Sequence, residues 1–532
     1  MKKIGLVLIL TLVTWTTQAQ SSLNVSLVSS AAYQNDNNDV WGYTDAAGNE
    51  FALVGTTAGV SIVDISVNPI QKKQFIQGPY SIWRDLKTWG HYAYVTHDNT
   101  FVWNTIPDQG LLIIDLDSIG ASNPRFHSIN PVIPLDTGGY DTLKTAHNLY
   151  IDENGFCYVF GANVGIGGAL IFDLNQDPWN PVYVGMYDED YFHDGMVRGD
   201  TLWGSAVYQG YAAIVNVSKK DSTYLMASQT TPSIFTHNTW VSDNNKVLFT
   251  TDERSNAFLT AYDVTDLSNI TELDRIQTSI SSLVIPHNAH VYGQWVVTSY
   301  YTSGVQIVDA KFPELLVEVG HYDTSPSFSG NGFNGNWGAY PYFESELIIC
   351  TDIEEGLLVL EPNYIEASRV HIQVEDSTTQ APLANAAVSF DLAGLASSTN
   401  LDGILNLGTH LSISDSVEVK LPGYVSQKLP YSWLSGQFDT LNVSLVPVTN
   451  IGTKEWGKKV IEIAPNPSRG WFHLSGVEQG TYRLLDLSGR VLDSGVITNE
   501  QVQLGNTFAN GNYVLMVESE MGQYRLPLVL LP

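Results

Sequence analysis

Gly59-Val-Ser-Ile-Val-Asp64-Ile is a short apolar run that opens on glycine and ends on an acid. The phrase returns as Gly110-Leu-Leu-Ile-Ile-Asp115-Leu, Gly168-Ala-Leu-Ile-Phe-Asp173-Leu, Tyr211-Ala-Ala-Ile-Val-Asn216-Val, Phe258-Leu-Thr-Ala-Tyr-Asp263-Val, Gly304-Val-Gln-Ile-Val-Asp309-Ala and Gly356-Leu-Leu-Val-Leu-Glu361. The terminal acids or amides of these seven copies stand 43 to 58 residues apart. Four or five consecutive apolar residues behind a turn residue read as a buried strand. A second apolar strand lies upstream in each unit, as at Tyr92–Thr96, Cys157–Phe160, Val247–Thr251 and Trp295–Ser299, and a more polar one follows, as at Asn180–Gly185. Four short strands per unit of roughly 50 residues are the signature of a β-propeller, in which closure into a ring hides the sheet edges. The expected fold is therefore all-β: a seven-bladed β-propeller over residues 20–363, followed by two small β-sandwich domains at 364–448 and 449–532. After Glu361 no fourth strand follows, so Leu23–Val28 is expected to complete the last blade.

Composition narrows the function. The 532 residues carry 25 basic and 55 acidic side chains, a net charge of −30, which disfavours phosphate backbones and anionic lipid surfaces as partners. Hydrophobic residues at 44% are enough for packed cores and exclude a wholly disordered chain. Residues 1–19 read as a signal peptide, with Lys2 and Lys3 before the apolar run Ile4–Val13 and small residues Thr17 and Ala19 at the cleavage site. No later stretch reaches the ~18 apolar residues of a membrane span. A secreted or cell-surface location is expected, and Cys157 and Cys350 are expected as buried free thiols.

The C-terminal third carries two resemblances. Val370–Val374, Ala387–Phe390 and Leu441–Leu445 alternate like sandwich strands, and Thr399-Asn-Leu-Asp402-Gly403 reads as a hairpin turn. With Pro382–Val388 and Pro422-Gly-Tyr424 this resembles the carboxypeptidase regulatory-like sandwich, which implies a non-catalytic spacer. Pro465–Leu474, Tyr482–Leu492, Gly511–Leu515 and the tail after Arg525 resemble the type A C-terminal sorting domain of the Bacteroidota type IX secretion system. That resemblance implies an address read by the secretion machinery as a partner of residues 449–532.

Aligning the first strand of each blade gives tryptophan in three, Trp41, Trp83 and Trp337, and histidine in the four between, His147, His193, His237 and His287, each followed by Asn or Asp. Trp41-Gly-Tyr, Gly59–Ser66, Trp83-Arg-Asp-Leu-Lys87 and the His-Asn/His-Asp series resemble the choice-of-anchor B proteins, exported bacterial propellers of LVIVD repeats. The resemblance implies architecture and location but no chemistry. Residues at the starts of innermost strands can share one axial mouth, so Trp41, Arg84, Asp85, Asn148, Asp194, Asn238, Asn288 and Trp337 are candidate ligand-binding residues. For the four histidines three readings stand open: structural hydrogen bonding at blade junctions, a polar pocket without metal, or a divalent transition-metal site. No nucleophile elbow or His-Glu-x-x-His motif is present, so no catalytic residue is assigned. The expected role is an exported binding or recognition protein for an extracellular ligand or partner protein, with a metal-dependent enzyme using the four histidines as the alternative. The Asp-rich segment Asn35–Asp39 reads as a solvated hairpin, with Ca²⁺ binding as a second possibility.

Overall fold

A computed structural model describes residues 20–98, 106–135, 138–448, 461–505, 508–520 and 522–531. The leader read from residues 1–19 and the start of the 449–532 module lie outside the described residues. Two compact units are present: residues 1–421 with 426–445, and 422–425 with 446–532.

In the first unit seven sheets repeat one plan. Asn37–Thr44, Glu50–Thr56, Gly59–Asp64 and Gln71–Gln77 pair antiparallel in chain order, and the phrase read from the sequence is the third strand of each sheet. That strand is buried along its length in the first sheet, whereas the fourth strand is largely exposed. The first strands, from Asn37–Thr44 through Leu86–Trp89, Asn148–Ile151, Asp194–Arg198, Thr236–Val241 and Ala289–Tyr292 to Asn336–Tyr340, each lie against the next sheet, and the last lies against the first. This is the arrangement of a β-propeller. Facing sheets share apolar clusters; Ile62 and Leu53 of the first sheet pack with Val95 and Ile114 of the second. Val25–Ala31 pairs antiparallel with Gly356–Pro362 as the outer strand of the last sheet, a few residues beyond the expected segment. Ser22–Leu23 pairs instead with Val317–Tyr322.

The recurring terminal acid has a local cause. Its side-chain oxygen accepts the backbone N–H two residues on: Asp64 from Ser66 (3.0 Å), Asp115 from Asp117 (3.1 Å), Asp173 from Asn175 (2.8 Å), Asn216 from Ser218 (3.2 Å), Asp263 from Thr265 (2.9 Å) and Asp309 from Lys311 (2.9 Å). Each is an Asx turn that starts the connection to the fourth strand. The turn needs an acceptor oxygen and not a charge, so Asn216 serves as well as aspartate. In the seventh copy the chain leaves the ring and no such turn follows Glu361. A register shift recurs between third and fourth strands, at Ile62/Val63, Ile171/Phe172, Ile214/Val215, Ala261/Tyr262 and Ile307/Val308. Such a bulge adds twist to the outer strand.

Residues 368–445 form a three-stranded sheet, Ile404–Thr409, Ser368–Asp376 and Phe438–Leu445, and a four-stranded sheet built on Ala387–Phe390 and Ser414–Lys420. Ile372, Val388, Phe390, Val417, Trp433 and Val443 are buried. The Thr399–Gly403 turn joins Ala396–Ser398 to Ile404–Thr409, which belong to different sheets, so it is a crossing between sheets and not the expected hairpin. Arg369, on the first of these strands, reaches Asp309 of the sixth propeller sheet. Its Nη1 lies 3.2 Å from Asp309 Oδ2, Nη2 donates to the Asp309 carbonyl at 2.7 Å and Nε to the Leu315 carbonyl at 2.9 Å, with both side chains at 0% exposure.

In the second unit the strands from Glu462–Ala464 to Gly522–Leu530 make one hydrogen-bonded sheet of seven. Ser468, just past the first strand, bridges Leu530 on the last, so the sheet rolls over a core of Phe472, Leu474, Leu484, Leu515 and Leu528. The two layers expected there are thus continuous. Cys157 and Cys350 are buried and unpaired. Among the described residues no helix is long and apolar enough to cross a membrane.

Candidate functional site

Backbone pairing aligns the first strands more finely than the sequence does. Asn148, Asp194, Asn238 and Gly338 stand opposite Phe160, Ser205, Thr251 and Thr351, and the Asp85 and Asn288 carbonyls accept from Thr96 and Ser299 in the same way. The residue before each forms the layer above. Hydroxyls of the preceding sheet mark it: Thr96 donates to the His147 carbonyl (3.4 Å), Thr251 to that of His287, and Thr351 to that of Asn38 (2.6 Å). The equivalents of the histidines are therefore Asn38, Arg84 and Trp337. Trp83 is one residue early and Trp41 three residues late; a register shift at Asn37/Val40 adds a residue to the first strand of the first sheet, as shifts at Thr236/Asn238 and Asn336/Gly338 do in the fifth and seventh. Asp39 is likewise no hairpin residue: Asn37, Asn38 and Asp39 are all buried in the first strand.

The upper layer is a row of rings. Centroid separations run 5.9 Å from Trp83 to His147, 3.9 Å to His193, 4.2 Å to His237, 4.4 Å to His287 and 5.0 Å to Trp337. These six residues with Asp39, Arg84, Asp85, Asn148 and Asn288 line one axial pocket of about 20 Å³, room for an ion or a water. The structure thus brings together nine of the residues singled out from the sequence: the four histidines, Arg84, Asp85, Asn148, Asn288 and Trp337. Asp194 and Asn238 sit just beneath, bonded to each other at 2.8 Å. Trp41 lies at the other end of the channel, with Tyr150, Trp240, Tyr340 and Tyr342 in an open bowl of about 530 Å³.

The second layer is a polar ring. Asp85 Oδ2 accepts the Leu149 N–H at 2.9 Å and Asn238 Oδ1 the Ala289 N–H at 3.0 Å, so each side chain ties its sheet to the next. Lys87 Nζ bonds Asp85 Oδ1 at 2.6 Å, stands 3.8 Å from Asp39 Oδ2 and lies 4.4 Å from the Trp41 ring centroid. Burial drives the Asp39 carboxyl well above the usual range, and its hydrogen bond to Asp85 adds to this. Burial works the same way on Asp85, but Lys87 and Asp39 outweigh it and hold that carboxyl low. Burial raises Asp194 to about 6. A side chain at Gly338 would place its Cβ 2.2 Å from Asp39 Oδ1, so the seventh sheet has no side chain at this level.

Burial disfavours the charged form of three of the histidines. Burial lowers His237 and His287 to about 3, with neighbouring imidazoles contributing, and pushes His193 well below its ordinary value. His287 Nδ1 donates to the Trp337 carbonyl at 2.6 Å, and His147 Nδ1 stands 3.0 Å from Asp98 Oδ2. His193 and His237 face the backbone of the next histidine in the same sense, but their Nδ1 atoms fall short of well-made hydrogen bonds. Glu253, which no sequence pattern flagged, stands at the end of the row, 3.9 Å from His237 Nε2 and 4.0 Å from His287 Nε2. Tyr301 donates to the same Glu253 oxygen at 2.6 Å. Its signal was positional: it directly follows the second strand of the fifth sheet, Val247–Asp252, where the alignment of first strands does not look.

No family model matches the chain, and no curated protein matches it. Among solved structures, the β-propeller domain of Cps50 (Swd1) from Myceliophteria thermophila is similar over 64% of this chain and 100% of that one, at 12% identity and a TM-score of 0.43.

Proposed function

We propose that the protein is an exported recognition module: a seven-bladed propeller of the choice-of-anchor B type that takes a small polar ligand at the histidine-lined axial mouth. In this reading residues 364–448 are a carboxypeptidase regulatory-like spacer and residues 449–532 address the chain to the type IX secretion machinery of a Bacteroidota cell. The observation that carries it is the row of four imidazoles around one confined pocket. Buried polar groups without full partners are costly unless a ligand or water satisfies them, and here they gather in one place. Arg84 Nη1 in the same wall also lacks a partner.

Thermal-shift titrations of the full chain with ZnCl₂, inorganic phosphate, citrate and N-acetylglucosamine test the binding role. A rise in Tm with at least one probe, abolished in His193→Ala, is expected. No response to any probe, or a response that His193→Ala leaves intact, overturns the reading. Export is tested by fractionating cells that express the chain with and without residues 449–532; surface or medium recovery that does not depend on the segment removes the address.

A further inference from the structure

The end of the histidine row turns acceptor atoms of three residues toward one another. A carbonyl only accepts, so the bond from His287 Nδ1 to Trp337 places the imidazole proton on Nδ1 and leaves a lone pair on Nε2. That lone pair is 4.0 Å from a carboxylate oxygen of Glu253, which also only accepts. His237 turns its own Nε2 to the same oxygen at 3.9 Å, while its Nδ1 faces the His287 backbone. One atom from each residue lies within 4.8 Å of the other two. His237 and His287 are 3% exposed, so the donors are held within the protein.

We propose that His237, Glu253 and His287 bind one divalent transition-metal ion, of the zinc class, at this mouth. The inference rests on the recognition reading above and names the ligand of that site. Two neutral imidazoles and one carboxylate are a donor set that such ions favour, and three protein ligands leave a coordination position open. Ligand atoms about 2.1 Å from one tetrahedral ion stand about 3.4 Å apart, so the observed 3.9 and 4.0 Å require a contraction of about half an ångström. Two outer contacts orient the donors as metal sites require: the Trp337 carbonyl fixes the His287 tautomer, and the Tyr301 hydroxyl fixes the Glu253 carboxylate. The other three-residue cluster, His91, Asp115 and Asp117, is different in kind. Asp117 is exposed and His91 half-buried, and Arg125 already pairs with the buried Asp115 at 2.8 Å.

The test uses the full chain, stripped with chelator and titrated with ZnCl₂ by calorimetry, alongside elemental analysis of the protein as isolated. One equivalent per chain is expected. Glu253→Gln, which keeps the shape and the Tyr301 contact, is expected to weaken binding at least tenfold, and His91→Ala to leave it unchanged. Cobalt substituted for zinc is expected to show visible absorption that shifts in Glu253→Gln, a readout independent of affinity. No stoichiometric binding, equal affinity in Glu253→Gln, or a loss shared with His91→Ala overturns the proposal. A chain that ignores zinc yet still responds to phosphate, citrate or the sugar through His193 loses only the metal; one that responds to nothing loses the recognition reading with it.

Discussion

Replacing Arg369 with methionine tests the energetics at a single buried contact. The guanidinium makes an ion pair with Asp309 and two bonds to carbonyls, and both side chains are fully buried. Methionine fills much of the same volume but leaves the Asp309 carboxylate with only the N–H groups of Ala367 and Lys311. Removing one partner of a buried pair strands a charge in low dielectric and costs about 3–5 kcal/mol. Replacing both, as Asp309→Asn with Arg369→Met, removes the charge and keeps an acceptor for the Asx turn, so most of that loss is expected to return. Urea denaturation at pH 7, followed by tryptophan fluorescence and circular dichroism, provides the assay. With a slope of about 3 kcal/mol/M, Arg369→Met is expected to lower the midpoint by about 1 M or more. A single variant within about 0.3 M of wild type, or a double variant no better than the single, refutes the argument.

Four further outcomes follow from the same geometry. Asn216→Asp is expected to leave Tm unchanged, while Asn216→Ala loses the turn acceptor at about 1 kcal/mol; equal effects would mean that the residue matters for something else. Burial raises the Asp352 carboxyl to about 6, so the folded state holds its proton more tightly than the unfolded chain, and the contribution of this group is fully present below about pH 4 and lost as pH rises through 6. The stability of Asp352→Asn relative to wild type should therefore climb by roughly 2 kcal/mol between pH 4 and pH 7, and a flat difference in urea midpoints across that range contradicts it. Lys87→Met is expected to cost several kcal/mol, roughly 3 or more, and to be largely rescued by Asp85→Asn; denaturation of both variants decides it. Deleting residues 20–31 exposes the edge of Gly356–Pro362, and self-association with a lowered Tm is expected by size-exclusion chromatography and calorimetry; an unaltered monomer would show the strand to be dispensable.

What could be read in the sequence was what local chemistry controls. The third strand of each sheet announces itself because it is buried and because its Asx turn acts over two residues, so Asp64 and its counterparts recur at readable intervals. The closing strand was legible for a similar reason: an alternating segment lies where a strand is missing. The first strands were harder. In the first sheet an extra residue at the mouth sets Asn38, and not Trp41, level with the histidines, and a bulge leaves no mark in composition. Glu253 and Lys87 were out of reach, since each gains its meaning from residues on other sheets: Tyr301 and His287 for one, Asp39 and Trp41 for the other. The local tie of Thr399–Gly403 was visible, but the change of sheet it makes was not.

The pairing of Val25 with Pro362 has a temporal side. A polypeptide emerging from its N-terminus presents this segment first and its partner only after every intervening sheet has been made. Until then the early strand has nowhere to go, and the nascent ring carries two raw margins. Closing so long a loop is slow, because the entropy of joining the ends must be met before the contact returns anything. An open ring offers both unpaired margins to other chains, and the pairing of Val25–Ala31 with Gly356–Pro362 is what removes them.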